Sequence, residues 1–367
     1  MPERLADLRL VFVTQTVDAD HPVLAQTVDL LRALAGRCES VTVLCDSVRR
    51  HDLPGNVRFR TFGASNRLAR GLRFSRAVAA SLLPRRARPD AVLVHMVPLF
   101  VLLAAPLTKP LRVPVLLWYT HWNAGRSLRL ATPLVDVVLS VSRGSFPLAT
   151  SKLRATGHAI DVARFTPSEE APTEAPLRLL ALGRTARWKG YDTMLRALEL
   201  ATARGLDARL ELRGPQLTTD EKAHRGELEA IVAASDLLRD RVRIEPPLAR
   251  DEIPSRLRAS DALLSATQPR ESETLDKVVY EAGACGVPVI ASNTALDMFL
   301  AGLPVELRFR ARDPESLADT LLAFAAAGPA ARRAAGAELR RRVVTAHSVE
   351  SWADAVTEIV SAAQTRE

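Results

Sequence analysis

Two glutamates eight positions apart, Glu273 and Glu281, with Lys277 between them, are the residues whose types and spacing bear most directly on chemistry. Residues 269–292 read as a polar loop carrying Glu271 and Glu273, a helix over about 275–285 closed by Gly286, and a buried strand over 287–291. On that reading Glu273 reaches past the helix N-terminus and Glu281 points across the helix one to two turns later, so one ligand could touch both. The helix start between them offers unpaired N–H groups and a positive dipole end, where a phosphate or diphosphate would sit. A lysine in the first turn opposes that dipole, which points to a bound anion nearby; a solvated Lys277 paired with Glu273 is the plainer alternative.

A second set stands upstream. Gly183-Arg184 and Lys189-Gly190 follow a predicted strand and open a predicted helix, which brings Arg184 and Lys189 to the carboxyl end of a sheet. Fixed cations and dipoles are what a protein can set against the negative charge of a phosphate or diphosphate held there. Arg187 reads as a surface charge and Trp188 as packing.

Glu273, seven residues and then Glu281, followed by Ala-Gly-Ala-Cys-Gly-Val-Pro-Val-Ile-Ala-Ser, resembles the signature of the retaining, nucleotide-sugar-dependent glycosyltransferases with the GT-B fold, the group 1 or family 4-like enzymes. Gly183-Arg184, Lys189-Gly190 and, earlier, Gly157-His158-Ala159-Ile160-Asp161 with Phe165 and Pro167 agree in order. The resemblance covers nearly the whole chain, strongly in the second half and loosely in the first. It implies that Arg184 and Lys189 bind the donor diphosphate, that Glu281 accepts hydrogen bonds from the ribose, and that Glu273 lies near the sugar ring, with Glu271 a rival. Leu275, Asp276 and Lys277 would complete the donor site. His121 would contact sugar or acceptor and act with Glu273, Arg184 and Lys189 in catalysis, while Arg126, with Arg129 nearby, could hold an anionic acceptor. A histidine satisfied by local hydrogen bonds is the alternative for His121, and His95 is a weaker candidate.

The implied reaction transfers a hexosyl unit from a nucleoside diphosphate sugar to a glycan or lipid-linked acceptor, with no cofactor and no metal. A nucleotide-sugar epimerase of the same fold and a non-catalytic basic binding module are the rivals. The chain departs from the pattern twice. Leu275-Asp276 stands where an aromatic-glycine pair is usual, and an aspartate there can cap a helix but repels a diphosphate. The first loop, Thr14-Gln15-Thr16-Val17-Asp18-Ala19-Asp20-His21, lacks the paired glycines often found. Its Asp18-Ala19-Asp20 imitates a metal motif of another glycosyltransferase fold, although an acid before Pro22 is also good helix-start chemistry.

The elements that must position these residues alternate. Strands are expected over 8–14, 41–45, 57–61, 91–95, 113–119 and 135–141, with helices over 22–36, 68–83 and 99–107. A Pro- and acid-rich stretch, 165–176, breaks the pattern. Strands at 177–183, 209–213, 242–245, 262–266 and 305–307 then alternate with helices at 189–204, 220–235 and 253–258, before helices at 314–326, 330–346 and 349–363. This is an α/β chain of two Rossmann-like domains, expected to face one another across a cleft: 1–165 for the acceptor, a linker 166–176, 177–348 for the nucleotide sugar, and a last helix 349–367 that in the resembling family crosses back to the first domain. A length of 367 residues suits two such cores.

The net charge is +8, and residues 1–175 hold 23 of the 50 Lys and Arg but only 14 of the 42 acids. No acid falls between Asp52 and Asp90, where Arg67, Arg70, Arg73 and Arg76 recur every third residue among Leu68, Leu72, Phe74, Val78 and Leu82. Such a helix either docks on anionic lipid or packs on a core with a solvated polar face. Nucleic acid is not expected, since aromatic residues are 5% of the chain. Cys38, Cys45 and Cys285 support neither a disulfide framework nor a zinc site. With no expected signal peptide and no apolar run long enough to span a bilayer, the expected location is cytoplasmic, and peripheral on the inner face of the membrane if that helix docks on lipid.

Overall fold

The structure is a computed structural model that describes residues 7–21, 24–121, 123–168, 175–268 and 276–364. The chain forms two compact units, Met1–Ala159 with Ala346–Glu367, and Ile160–Thr345.

The first unit is built on β1 (Arg9–Val13), β2 (Thr16–Val17), α1 (Gln26–Ala35), β3 (Ser40–Cys45), β4 (Ser47–Val48), β5 (Val57–Thr61), α2 (Arg67–Leu82), β6 (Ala91–His95), α3 (Pro98–Thr108), β7 (Val115–Trp118), α4 (Arg126–Ala131), β8 (Val137–Ser140) and β9 (Leu153–Ala155). Among the described residues its main sheet is seven-stranded, in the order β5-β3-β1-β6-β7-β8-β9, and every pairing is parallel. Central strands such as Ala-Val-Leu-Val-His and Val-Leu-Leu-Trp are buried throughout and apolar but for His95, because helices cover both faces. The edge strand β5 instead exposes Arg58 and Arg60. The helix Val349–Gln364 closes the same core: Trp352 is fully buried with its ring 4.9 Å from that of Trp118, and Arg37 Nε donates to Asp354 at 2.5 Å. Gly157 (φ 73°) lies where a Cβ would overlap the carbonyl oxygen of Ala346, so the approach of the returning chain requires glycine there.

The second unit contains β10 (Leu177–Leu182), α5 (Tyr191–Ala203), β11 (Ala208–Arg213), α6 (Thr219–Ala234), β12 (Val242–Glu245), α7 (Ile253–Arg258), β13 (Ala262–Ser265), α8 (Lys277–Ala284), β14 (Val289–Ala291), α9 (Asp297–Leu300), α10 (Pro314–Ala326) and α11 (Gly328–Ala346). Its five-stranded parallel sheet runs β12-β11-β10-β13-β14. In each sheet the strand order reverses beside the first strand, between β1 and β6 in one and between β10 and β13 in the other. Those are the switch points where ligands of open α/β sheets bind, beyond the carboxyl ends of the strands.

The strand expected over 305–307 does not form. Val305, Leu307 and Phe309 are buried, but the segment makes only an isolated bridge, Ala291 to Arg308, because the neighbouring strand β14 ends after three residues. No described helix is long and apolar enough to cross a membrane.

Candidate functional site

In the second unit β10 ends at Leu182, and Gly183 follows with a carbonyl that accepts the Tyr191 hydroxyl at 2.9 Å. A Cβ on Gly214, just past β11, would overlap that same Gly183 carbonyl, and one on Gly190 (φ 67°) would overlap the Ala266 carbonyl past β13. Glycine at these two places lets the ends of β10 and β11 approach closely and brings the start of α5 against the end of β13.

Lys189 ends a short 3-10 turn, Arg187–Lys189, and the left-handed Gly190 then starts α5. This turn folds the lysine back over the strand ends, where its side chain is only 10% exposed. Its Nζ lies 2.6 Å from Asp276 Oδ1, 4.5 Å from the centre of the Trp188 ring, and within 3.6 Å of where a Gly183 Cβ would be. The second oxygen of Asp276 accepts the Thr267 hydroxyl at 2.5 Å. Asp276 stands at the N-cap of α8 but makes no side-chain capping bond, since both its oxygens are turned to Lys189 and Thr267. Burial, with the Asp276 charge adding to it, drives the Tyr191 phenol well above its ordinary value and keeps it a hydrogen-bond donor.

Arg184 leaves the end of the same strand and pairs with Glu221 Oε1 at 2.6 Å. Glu221 is buried in the first turn of α6, and its other oxygen accepts the Leu217 amide at 2.5 Å. Lys277 in the first turn of α8 pairs with Glu281 at 3.1 Å, one turn on and 8% exposed. Each of the three cations Arg184, Lys189 and Lys277 therefore faces a carboxylate of the same unit. Arg187 is bound at the surface by Asp220 and Glu227, and holds the Glu227 carboxyl down at about 2.

Of the residues expected to form a donor site, the fold gathers Arg184 and Lys189 at the end of β10 and places Asp276, Lys277 and Glu281 at and within α8. Glu271, Glu273 and Leu275 lie outside the described residues. The partner of Lys277 is Glu281; its expected pairing with Glu273 also falls outside them. Glu221 and Thr267 were missed. Thr218-x-x-Glu221 does carry a capping-box pattern, and the Thr218 hydroxyl accepts the Glu221 amide at 3.2 Å, but nothing in that motif ties Glu221 to Arg184.

In the first unit the switch point is filled. Thr14 Oγ1 lies 3.1 Å from His95 Nδ1, and the His95 ring stacks on Trp118 with centroids 5.2 Å apart. Burial pushes the imidazole down to about 4, so it is neutral. Met96, next in sequence, takes φ 67° without being glycine, and its sulfur accepts from the Thr120 amide and hydroxyl. Three residues beyond β7, His121 is exposed, and its Nδ1 accepts the Asn123 amide at 3.1 Å. Arg126 opens α4 and is exposed, and Arg129 Nε donates to the Ala124 carbonyl. In the first loop Asp18 accepts the Asp20 amide and Asp20 pairs with Arg50, so these acids serve a turn and an ion pair. Among the described residues no group of three or more His, Cys, Asp or Glu is placed to hold a metal ion.

The arginine-rich helix α2 divides its apolar residues. Phe74, Val78 and Leu82 are buried in the core shared with Phe100 of α3 and Leu128 of α4, whereas Leu68 is 88% exposed and Leu72 56%. Arg70 pairs with Asp46, and Arg73 donates to the Gly63 carbonyl.

Residues 176–327 match the family described as glycosyl transferases group 1. A D-inositol 3-phosphate glycosyltransferase of Catenulispora acidiphila is 29% identical over 194 residues, 48% of this chain and 44% of that protein, so the chain spans less than half of the relative's length. Among solved structures, sucrose-phosphate synthase from Thermosynechococcus elongatus superposes with a TM-score of 0.73 at 17% identity, over 98% of this chain and 100% of that one. HepE from Anabaena, solved in complex with UDP-glucose, gives 0.69 at 17% identity over 97% and 100%. The shared fold is GT-B.

Proposed function

We propose that this chain, whose residues 176–327 match the glycosyl transferases group 1 family, moves a hexosyl unit from a nucleoside diphosphate sugar to a glycan or lipid-linked acceptor, with retention and without a metal. The observation that carries the reading is the buried ammonium of Lys189 at the switch point of the second sheet, with Arg184 at the end of the same strand and Glu281 on α8. As the sugar–phosphate bond lengthens, charge grows on the leaving diphosphate, and buried Lys189 and exposed Arg184 meet it with fixed positive charge. Glu281, an acceptor-only carboxylate, takes the ribose hydroxyls. The leaving phosphate assists removal of the acceptor proton on the face it departs from, which retains the anomeric configuration. Glu273 serves the sugar ring, and His121 and Arg126 the acceptor.

The acceptor side suits an anion. The helices α2, α3 and α4 contain no Asp or Glu, and they expose Leu68, Leu72, Leu99 and Leu130 beside Arg67, Arg76, Arg126 and Arg129. Exposed leucines among arginines fit the anionic surface of a membrane from which a lipid-linked acceptor would be drawn. The phosphorylated polyol in the relatives' name agrees with an anionic acceptor.

Transfer of radiolabelled sugar tests the chemistry. Lys189→Ala is expected to lower it about 100-fold or more and Glu281→Ala about 10- to 100-fold; parent-like transfer by either variant removes the site. A product made without any added acceptor would instead mark an epimerase. Vesicle pelleting tests the surface: exchanging Arg67, Arg70, Arg73 and Arg76 for Gln should release the protein from anionic vesicles, and undiminished binding would leave α2 a packing helix.

A further inference from the structure

We infer that Asp276 is an internal competitor for the donor's diphosphate: its carboxylate occupies the anion position on Lys189 and must be displaced, or tolerated, when a nucleoside diphosphate binds. The inference rests on the donor-site reading above and adds a residue that sets the strength of that site.

Three observations lead to it. The Lys189 side chain is nine-tenths buried, and its hydrogen-bonded anion is Asp276 at 2.6 Å. The carboxylate is held from the other side as well, by the hydroxyl of Thr267, which is 3% exposed and lies just beyond β13. A cation from one side of the switch point and a hydroxyl from the other, both directed at two oxygens of one anionic group, is the donor arrangement a phosphate would meet there. Finally, Asp276 holds the N-cap of α8 yet gives no side-chain oxygen to that helix, so its carboxylate is committed to Lys189 and Thr267 in place of capping.

The consequence is electrostatic. A diphosphate reaching Lys189 either shares it with a carboxylate a few ångströms away, against like-charge repulsion strengthened by burial, or breaks two charge-assisted contacts before forming its own. Either way donor affinity is set below what Lys189, Arg184 and the start of α8 would give alone. The opposite role, in which Asp276 merely orients Lys189 for the ligand, predicts the opposite sign when the charge is removed.

Calorimetric titration of the whole chain with inorganic pyrophosphate and with UDP separates the two. Asp276→Asn keeps the shape and removes the charge; it should bind both probes about tenfold more tightly than the parent. Without ligand it should melt lower than the parent, since Lys189 loses its counter-ion, and pyrophosphate should restore more of the melting temperature than it does in the parent. Thr267→Val loosens Asp276 without touching its charge and should give a smaller tightening, which keeps the test open if the asparagine variant folds poorly. Unchanged or weaker binding by both variants, with the parent still binding, overturns the inference and leaves the donor site standing. If neither the parent nor Asp276→Asn binds pyrophosphate or UDP, the donor-site reading falls together with the inference.

Discussion

The two sheets of this molecule share one plan and treat their switch points in opposite ways. Beyond β1 the first unit places Thr14, whose hydroxyl meets His95 from the end of β6, and a stacked Trp118 completes a neutral, fully packed corner. Beyond β10 the second unit places Gly183, and the space is taken by a buried lysine, the aspartate that neutralises it and a threonine hydroxyl. Parallel topology fixes where a ligand would enter each sheet; the side chain that follows the first strand decides whether the corner is filled or charged. The second unit carries the diphosphate chemistry in this account because, among the described residues, its corner holds a buried cation and the first unit's corner a neutral histidine.

The contrast can be broken first at the glycines. Gly214→Ala puts a methyl group onto the Gly183 carbonyl, backbone against backbone, and should destabilise the protein by about 3 kcal/mol, read as a lower denaturant midpoint and loss of UDP binding. Full stability in that variant would mean that the strand ends need not meet so closely.

Acid should separate the units with a comparable magnitude. Burial holds His95 and His347 of the first unit at about 4, against an ordinary 6.5. The unfolded chain therefore takes up protons first, so the stability of the first unit is complete above about 6.5 and drains as pH falls toward 4, by about 3 kcal/mol per histidine. In the second unit arginines hold Glu227 and Glu338 at about 2, so their contribution is lost only as pH falls below 4.5. Hydrogen exchange at pH 5 should show the first unit losing protection relative to pH 7 while the second keeps it. Equal loss in both, or the same loss after His95→Gln and His347→Gln, would dissolve the distinction.

Much of this fold is readable from the chain. The strands at 57–61, 91–95 and 242–245 and the helices at 253–258 and 314–326 fall where periodicity, proline and capping residues put them. The expected strand at 305–307 fails because alternation reports burial, whereas a strand also needs a partner long enough to pair with. The site was legible in part for a related reason. Motif spacing brings out Arg184, Lys189, Lys277 and Glu281, but their ionic partners come from tertiary folding: Asp276 is 87 positions from Lys189, and Glu221 is 37 from Arg184. Asp276 stood out in the sequence only as a departure at a helix start, and its grip on Lys189 requires β10 and β13 to be neighbours. Thr14 and His95, 81 positions apart, are hidden in the same way.

Calorimetric titration with UDP, GDP and ADP tests the central claim most directly. The parent should bind at least one of the three, Lys189→Ala should weaken that binding about 10- to 100-fold, and Thr14→Ala and His95→Gln in the other sheet should leave it unchanged. A Lys189→Ala protein that binds the same nucleotide as tightly as the parent would contradict the account.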